Sequence, residues 1–215
     1  MLRRVDGLLH STGRFAIALP RVPWRDLLLL LVAGGFLYGV AMGFFAVRAL
    51  QSLYSGLKVP LLLIVTSAVC LPNFFIVNTL LGLRDDFASA FRGVLAAQAT
   101  MAVVLAALAP VTLWAYASSS DYDLAILLNG VMFLLATLVG QVVLSRHYRP
   151  LIARNPRHRL GKATWLTLYV FVAIQLAWVL RPFVGSPGLD ATFFREDAWS
   201  NAYVSLLGRI WSFIT

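Results

Sequence analysis

An all-α, polytopic helix bundle embedded in a membrane is the fold class this sequence predicts, and three observations predict it. The 215 residues are 60% hydrophobic and only 13% charged, against about 45–50% and about 25% in ordinary soluble domains. The apolar residues come in five unbroken runs of roughly the 20 residues needed to cross a bilayer. They do not follow the alternating ten-residue segments of a membrane barrel, so helices must satisfy the backbone inside lipid.

The spans are predicted in order at 27–47, 60–82, 93–115, 124–144 and 164–180. Before them, residues 1–26 form a basic segment that is too long for a signal n-region, and the run that follows exceeds a signal h-region of about 7–15 residues. The first span is therefore expected to stay as a signal anchor. Residues 181–215 form a tail. Arg181 can snorkel, Pro182 stops the helix, and Gly185, Pro187 and Gly188 turn the chain. Phe193, Phe194 and Trp199 in FFREDAWSNAY are too apolar to be left in water, so docking on the bundle or a partner is expected. In residues 201–215, Tyr203, Leu206, Leu207, Ile210, Trp211 and Ile214 recur at helical spacing. That pattern predicts an amphipathic helix lying in the interface or docked on the bundle.

Charge gives the orientation. Of the 18 Lys and Arg residues, thirteen fall in the N-terminal segment, the loop after span two and the loop after span four. The positive-inside rule places these on the cytoplasmic side, giving N-in and C-out. The outer loop ASSSDYD, with Asp121 and Asp123 and no base, agrees. The net charge of +9 is thus topogenic, and no nucleic-acid partner follows from it. The excess of Arg over Lys, with many Ala and Leu, suggests a GC-rich bacterial genome and hence a bacterial cytoplasmic (inner) membrane.

Three motifs stand out. Gly35, Gly39 and Gly43 lie four apart on span one, a smooth groove for close helix approach. In span two, Thr66, Cys70 and Asn73 fall at i, i+4 and i+7 and are read as one face beside Pro72, with Asn78 pointing away from it. Pro72 frees the Ala68 carbonyl, which Thr66 or Ser67 could help satisfy. Either this is a broken helix lining a solute site, or a kinked helix whose Asn bonds a neighbour. The acid-free stretch SRHYRPLIARNPRHRLGK carries Arg146, Arg149, Arg154, Arg157, Arg159 and Lys162, a candidate contact for anionic lipid headgroups.

All nine acids lie outside the predicted spans, as do the three histidines, which have no carboxylate partners at metal-site spacing. That argues against proton-driven transport. The sequence contains no HExxH, GxSxG or P-loop pattern. Cys70 is the single cysteine, so no disulfide or cysteine cluster can form within the chain. No cofactor, metal or catalytic residue is expected. Asp85 and Asp86 are read as the start of the third helix. With Arg92, they are also the one compact candidate for a lipid-directed enzyme site.

At PLLLIVTSAVCLPNFFIVNTLLG, and again at QLAWVLRPFVGSPG followed by FFR, the chain resembles uncharacterised bacterial multi-spanning membrane proteins distantly similar to the Yip1 family. The likeness extends over 27–195. It implies five spans and a non-enzymatic role in membrane organisation, and it carries over no catalytic residue. The short basic N-terminus lacks the long cytoplasmic region that in eukaryotic Yip1 proteins accompanies small-GTPase partners. The expected function is a non-catalytic scaffold or accessory subunit of a larger membrane assembly, with a protein partner or a second copy as neighbour. The alternative is a small transporter or channel for a neutral or lipid-like solute, lined by Asn73, Asn78, Gln98 and Asn129.

Overall fold

A computed structural model describes residues 23–186, 188, 190–195, 203 and 204. The basic N-terminal segment up to residue 22 and nearly all of the 201–215 helix lie outside the described residues. Five long helices account for most of the remainder: α1 Trp24–Gly43, α2 Ala49–Leu80, α3 Phe87–Ser118, α4 Tyr122–Arg154 and α5 His158–Leu180. Each is long and apolar enough to cross a membrane. The fold is therefore that of a polytopic helical membrane protein.

Four of the five helices overrun the apolar runs that signal them. At about 1.5 Å per residue, α2, α3 and α4 each reach roughly 48 Å, well beyond a hydrocarbon core of about 30 Å. α2 begins at Ala49 and runs unbroken through Pro60 and Pro72. α4 continues through Arg146, Arg149, Pro150 and Arg154, and α5 starts at His158. The basic stretch after the fourth span is thus helix on both sides of a three-residue link at Asn155, Pro156 and Arg157. Arg is a good helix former, and charge ends an apolar run without ending a helix.

Turn chemistry sets the corners. Gly82 has φ 72° and closes α2, with the Leu83 N–H reaching back to the Asn78 carbonyl at 2.8 Å. A short 3-10 turn, Arg84–Asp86, then leads into α3. Asp121 caps α4 by accepting from the Asp123 and Leu124 amides at 2.9 and 3.1 Å. Between α1 and α2, a 3-10 turn at Phe45–Val47 ends with Val47 at φ 55°. A β-branched residue occupies that left-handed region only at a cost.

α1 is wedged between α2 and α3, so these two consecutive helices barely meet. α3 packs on α4, α2 packs on α5, and a smaller contact between α4 and α5 closes the circle. Glycine makes the wedge possible. A Cβ on Gly39 would lie 2.2 Å from the Ser55 carbonyl oxygen, and one on Gly43 would lie 2.6 Å from that of Gln51. Gly35 faces Pro60, so the three glycines read one antiparallel groove along α2 of the same chain. Gly34 looks the other way, with 2.6 Å between its would-be Cβ and the Ala102 carbonyl oxygen of α3.

Candidate functional site

Two polar assemblies sit at opposite ends of the bundle. The first joins the C-terminal half of α4, the start of α5 and the turn before α3. Here the Asp86 carboxylate accepts from Arg154 at 2.9 Å with one oxygen and meets His158 Nε2 at 3.2 Å with the other. Asp86 does start α3, yet its side chain makes no capping bond and turns to these two partners instead. His158 thus meets a carboxylate from a position 72 residues away, a pairing that no local spacing announces. His158 is fully buried, whereas Arg154 is 74% exposed.

Close by, Arg157 donates to the Leu81 carbonyl at 3.3 Å, and Lys162 donates to Ser145 Oγ at 2.8 Å. The six candidate cations thus divide. Arg154, Arg157 and Lys162 hold the helix ends together, while Arg146, Arg149 and Arg159 are exposed and have no partner among the described residues. Arg92 lies over the Trp24 ring at 5.3 Å from its centroid, so it braces α3 against α1 rather than forming a compact unit with Asp85 and Asp86. At this end of the bundle, buried Tyr148 Oη, His158 Nδ1, His147 Nε2 and Asn78 Oδ1 have no hydrogen-bond partner among the described residues. The Tyr148 and His158 rings are 6.3 Å apart, edge to face.

The second assembly, at the far end, ties the chain after α5 onto the first turns of α2. Lys58, fully buried, donates to the Pro182 carbonyl at 2.7 Å. Gln51 Nε2 donates to the Pro182 and Phe183 carbonyls at 3.1 Å each, and Ser55 Oγ donates to that of Phe183. Arg48 reaches the Ser186 carbonyl at 3.0 Å. Gly185 lies against the Gln51 side chain, where a Cβ would come within 2.9 Å. Phe193 then lies edge-on to Tyr54, with ring centroids 5.4 Å apart, and its own centroid is 4.9 Å from Lys58 Nζ. Further on, Tyr203 stacks on Phe171 of α5 at 4.6 Å. The aromatic tail docks on the bundle at these positions, while Trp199 lies outside the described residues.

In span two the structure corrects the reading of the polar face. Thr66 and Cys70 are buried, but Pro72 and Asn73 are exposed. The buried row continues instead through Phe74 to Asn78. Steps of four residues drift by about 40° per step, so the row turns away from Asn73 as it descends. Ser67 bonds the Leu63 carbonyl at 2.8 Å, and Thr66 Oγ1 has no partner among the described residues, so neither performs the service expected near Pro72.

Two other buried amides, Asn129 and Gln98, join helices. Tyr38 donates to Asn129 Oδ1 at 2.8 Å, and Asn129 donates to Tyr116 at 2.5 Å. Tyr116 in turn reaches the Met42 carbonyl at 3.1 Å. Tyr169 donates to Gln98 at 3.0 Å, joining α5 to α3. Asn78 bonds the Phe74 carbonyl of its own helix and faces Gly161 of α5. The four amides of the expected pathway lining are thus dispersed: Asn73 is exposed, and the other three are bonded separately.

Among the described residues no group of three or more His, Cys, Asp or Glu is placed to hold a metal ion. No family model, curated protein or solved structure matches the chain.

Proposed function

We propose that this chain is a non-catalytic membrane-embedded subunit that scaffolds a larger assembly and holds anionic lipid headgroups at its basic end. One observation carries the reading: the division of polar groups between structure and surface. The buried Lys58, Gln98 and Asn129 link helices or the tail, while Arg146, Arg149 and Arg159 are exposed with no partner among the described residues. A basic residue near an anionic surface contributes about 1 kcal/mol. The basic end is then cytoplasmic, the N-terminus inside, and the segment after α5 outside, with its last helix in the outer interface.

The host is a bacterial cytoplasmic membrane, and the role is organisational in the sense of the Yip1 family. The five-helix count and the two stretches at 60–82 and 175–188 support that likeness. α4 and α5 are the least covered helices, and their long apolar outer faces suit a protein neighbour or a second copy.

The test is extraction from the native membrane in mild detergent, followed by mass spectrometry of what accompanies the chain. A stoichiometric partner or a defined homo-oligomer is expected. A clean monomer that retains no protein would overturn the scaffold reading.

A further inference from the structure

α4 and α5 meet at their basic ends, where Lys162 Nζ bonds Ser145 Oγ at 2.8 Å and the Tyr148 and His158 rings lie 6.3 Å apart. These two contacts fix the register of the antiparallel pair. With Ser145 across from Lys162 and Tyr148 across from His158, Arg159 is level with the stretch between Arg146 and Arg149. The three arginines therefore share one depth.

They also share one face. On α4, His147 packs on Gly93 of α3, while Ser145 turns to α5. With about 3.6 residues per turn, Arg149 comes next round the helix past Ser145 and Arg146 beyond it, both on the side away from His147. On α5, Gly161 faces Asn78 of α2, and Lys162 turns to α4. Arg159 comes next past Lys162, on the side away from Gly161. All three guanidinium groups thus stand on the outer face of the α4–α5 hairpin. Asp86 spends its two carboxylate oxygens on Arg154 and His158 and supplies no counter-charge to them. Toward the membrane, the same face continues as exposed Leu138 and Val142 of α4 and Val170 and Ile174 of α5.

This arrangement says what sits there. Cations directly above an apolar face suit an anionic lipid, whose headgroup and chains lie in that order. Arg146 and Arg149, three apart on one helix, have Cβ atoms about 5–6 Å apart and can share one phosphate. Arg159 stands on the other helix, across an interaxial gap of about 8–10 Å. A headgroup with one phosphate answers the α4 pair and leaves Arg159 without an anion. Two phosphates joined by a short glycerol link answer both helices, and basic pockets between membrane helices on the cytoplasmic side suit such headgroups.

We propose that Arg146, Arg149 and Arg159 form one seat for a diphosphatidylglycerol lipid, with the α4 pair on one phosphate and Arg159 on the other. The inference rests on the reading that this end holds anionic headgroups, and it names which headgroup. The acyl chains then lie along the outer faces of α4 and α5.

The experiment is native mass spectrometry of the chain released from bilayer discs that contain diphosphatidylglycerol and phosphatidylglycerol at equal phosphate. The wild type is expected to retain one diphosphatidylglycerol with at least a tenfold preference. Arg159→Gln should abolish that preference while keeping phosphatidylglycerol, since the α4 pair still holds one phosphate. Arg154→Gln removes the same charge from the same end but from a residue bonded to Asp86, and should leave the preference intact. Phosphatidylglycerol retained by the wild type without a preference for the two-phosphate lipid would overturn the proposal and leave the basic-end reading standing. Equal loss of preference in Arg154→Gln and Arg159→Gln would overturn it too, since charge and not position would then decide. A wild type that retains neither lipid would overturn both the proposal and the reading beneath it.

Discussion

Lys58 and Pro182 are joined by a 2.7 Å bond between the lysine ammonium and the proline carbonyl, and this bond anchors the segment after α5 to α2. The lysine is fully buried, and the aromatic rings of Phe183 and Phe193 lie near its Nζ, 6.0 and 4.9 Å to their centroids. Carbonyl dipoles and ring faces here take the place of a carboxylate partner. Lys58→Met keeps the stem and deletes the donor, leaving Gln51 as the only side-chain donor to that carbonyl among the described residues. A loss of about 1–3 kcal/mol is expected, the range for a buried group deprived of a bond. Limited proteolysis should cut within 183–195 sooner than in the wild type. Unchanged cutting together with an unchanged Tm would show the bond to be dispensable.

The glycine groove predicts a sharp contrast within one residue type. Gly39→Ala places a methyl 2.2 Å from the Ser55 carbonyl oxygen, so α1 and α2 must move apart. Overpacking of this kind costs about 1–3 kcal/mol, which should appear as early thermal aggregation in mild detergent. Gly130→Ala on α4 meets nothing within 4 Å. It should be neutral, or stabilising by up to about 1 kcal/mol through helix propensity. Equal behaviour of the two variants would contradict the close approach of α1 and α2.

Asp86 serves two partners of very different exposure. The Arg154 bond is in water and contributes little, about 0–1 kcal/mol. The His158 contact lies beneath it on a buried ring. Arg154→Gln is therefore expected to leave the melting temperature within a degree or two, and Asp86→Ala to lower it by several degrees. Thermal shift in the same detergent decides between them. Matching shifts would mean that the surface pair, rather than the histidine, holds the corner.

Among the basic residues at that end, position alone does not fix the role. Arg146→Gln, Arg149→Gln and Arg159→Gln together should weaken association with phosphatidylglycerol by about 3 kcal/mol, or roughly a hundredfold, with little effect on Tm. Arg157→Gln and Lys162→Gln should act the other way, chiefly on stability, since their bonds hold α2 and α4. Lipid competition measured by native mass spectrometry, beside a melting curve for each variant, separates the two sets.

The number of helices is legible in the sequence because an apolar run of about 20 residues matches the thickness of a bilayer core and little else. Their lengths are not, because α4 carries its helix through Arg146, Arg149 and Arg154 after the hydrophobic signal has ended. Gly39 is readable as a contact residue, and only the fold shows that its partner is Ser55 of the next helix. Lys58 reads as a loop residue on charge alone. Its burial depends on a carbonyl 124 positions away, which no local pattern announces. Asn73 misleads for a simpler reason: helical spacing groups it with Cys70, but the buried row rotates as it descends, and Asn78 is the amide it reaches.

The wedged position of α1 has a consequence for how the molecule is made. α1 is the first of the five helices to leave the ribosome, and it presents bare glycine backbone toward two neighbours that do not yet exist. α2 and α3 follow in turn and dock on opposite flanks of it, so synthesis and packing run in the same order for three helices. α5 breaks the sequence by returning to α2, and the Lys58 bond forms only after the chain has passed it. The fastening of the tail to α2 therefore waits for α5, and a nascent chain halted before residue 182 is a bundle whose lysine still lacks its carbonyl.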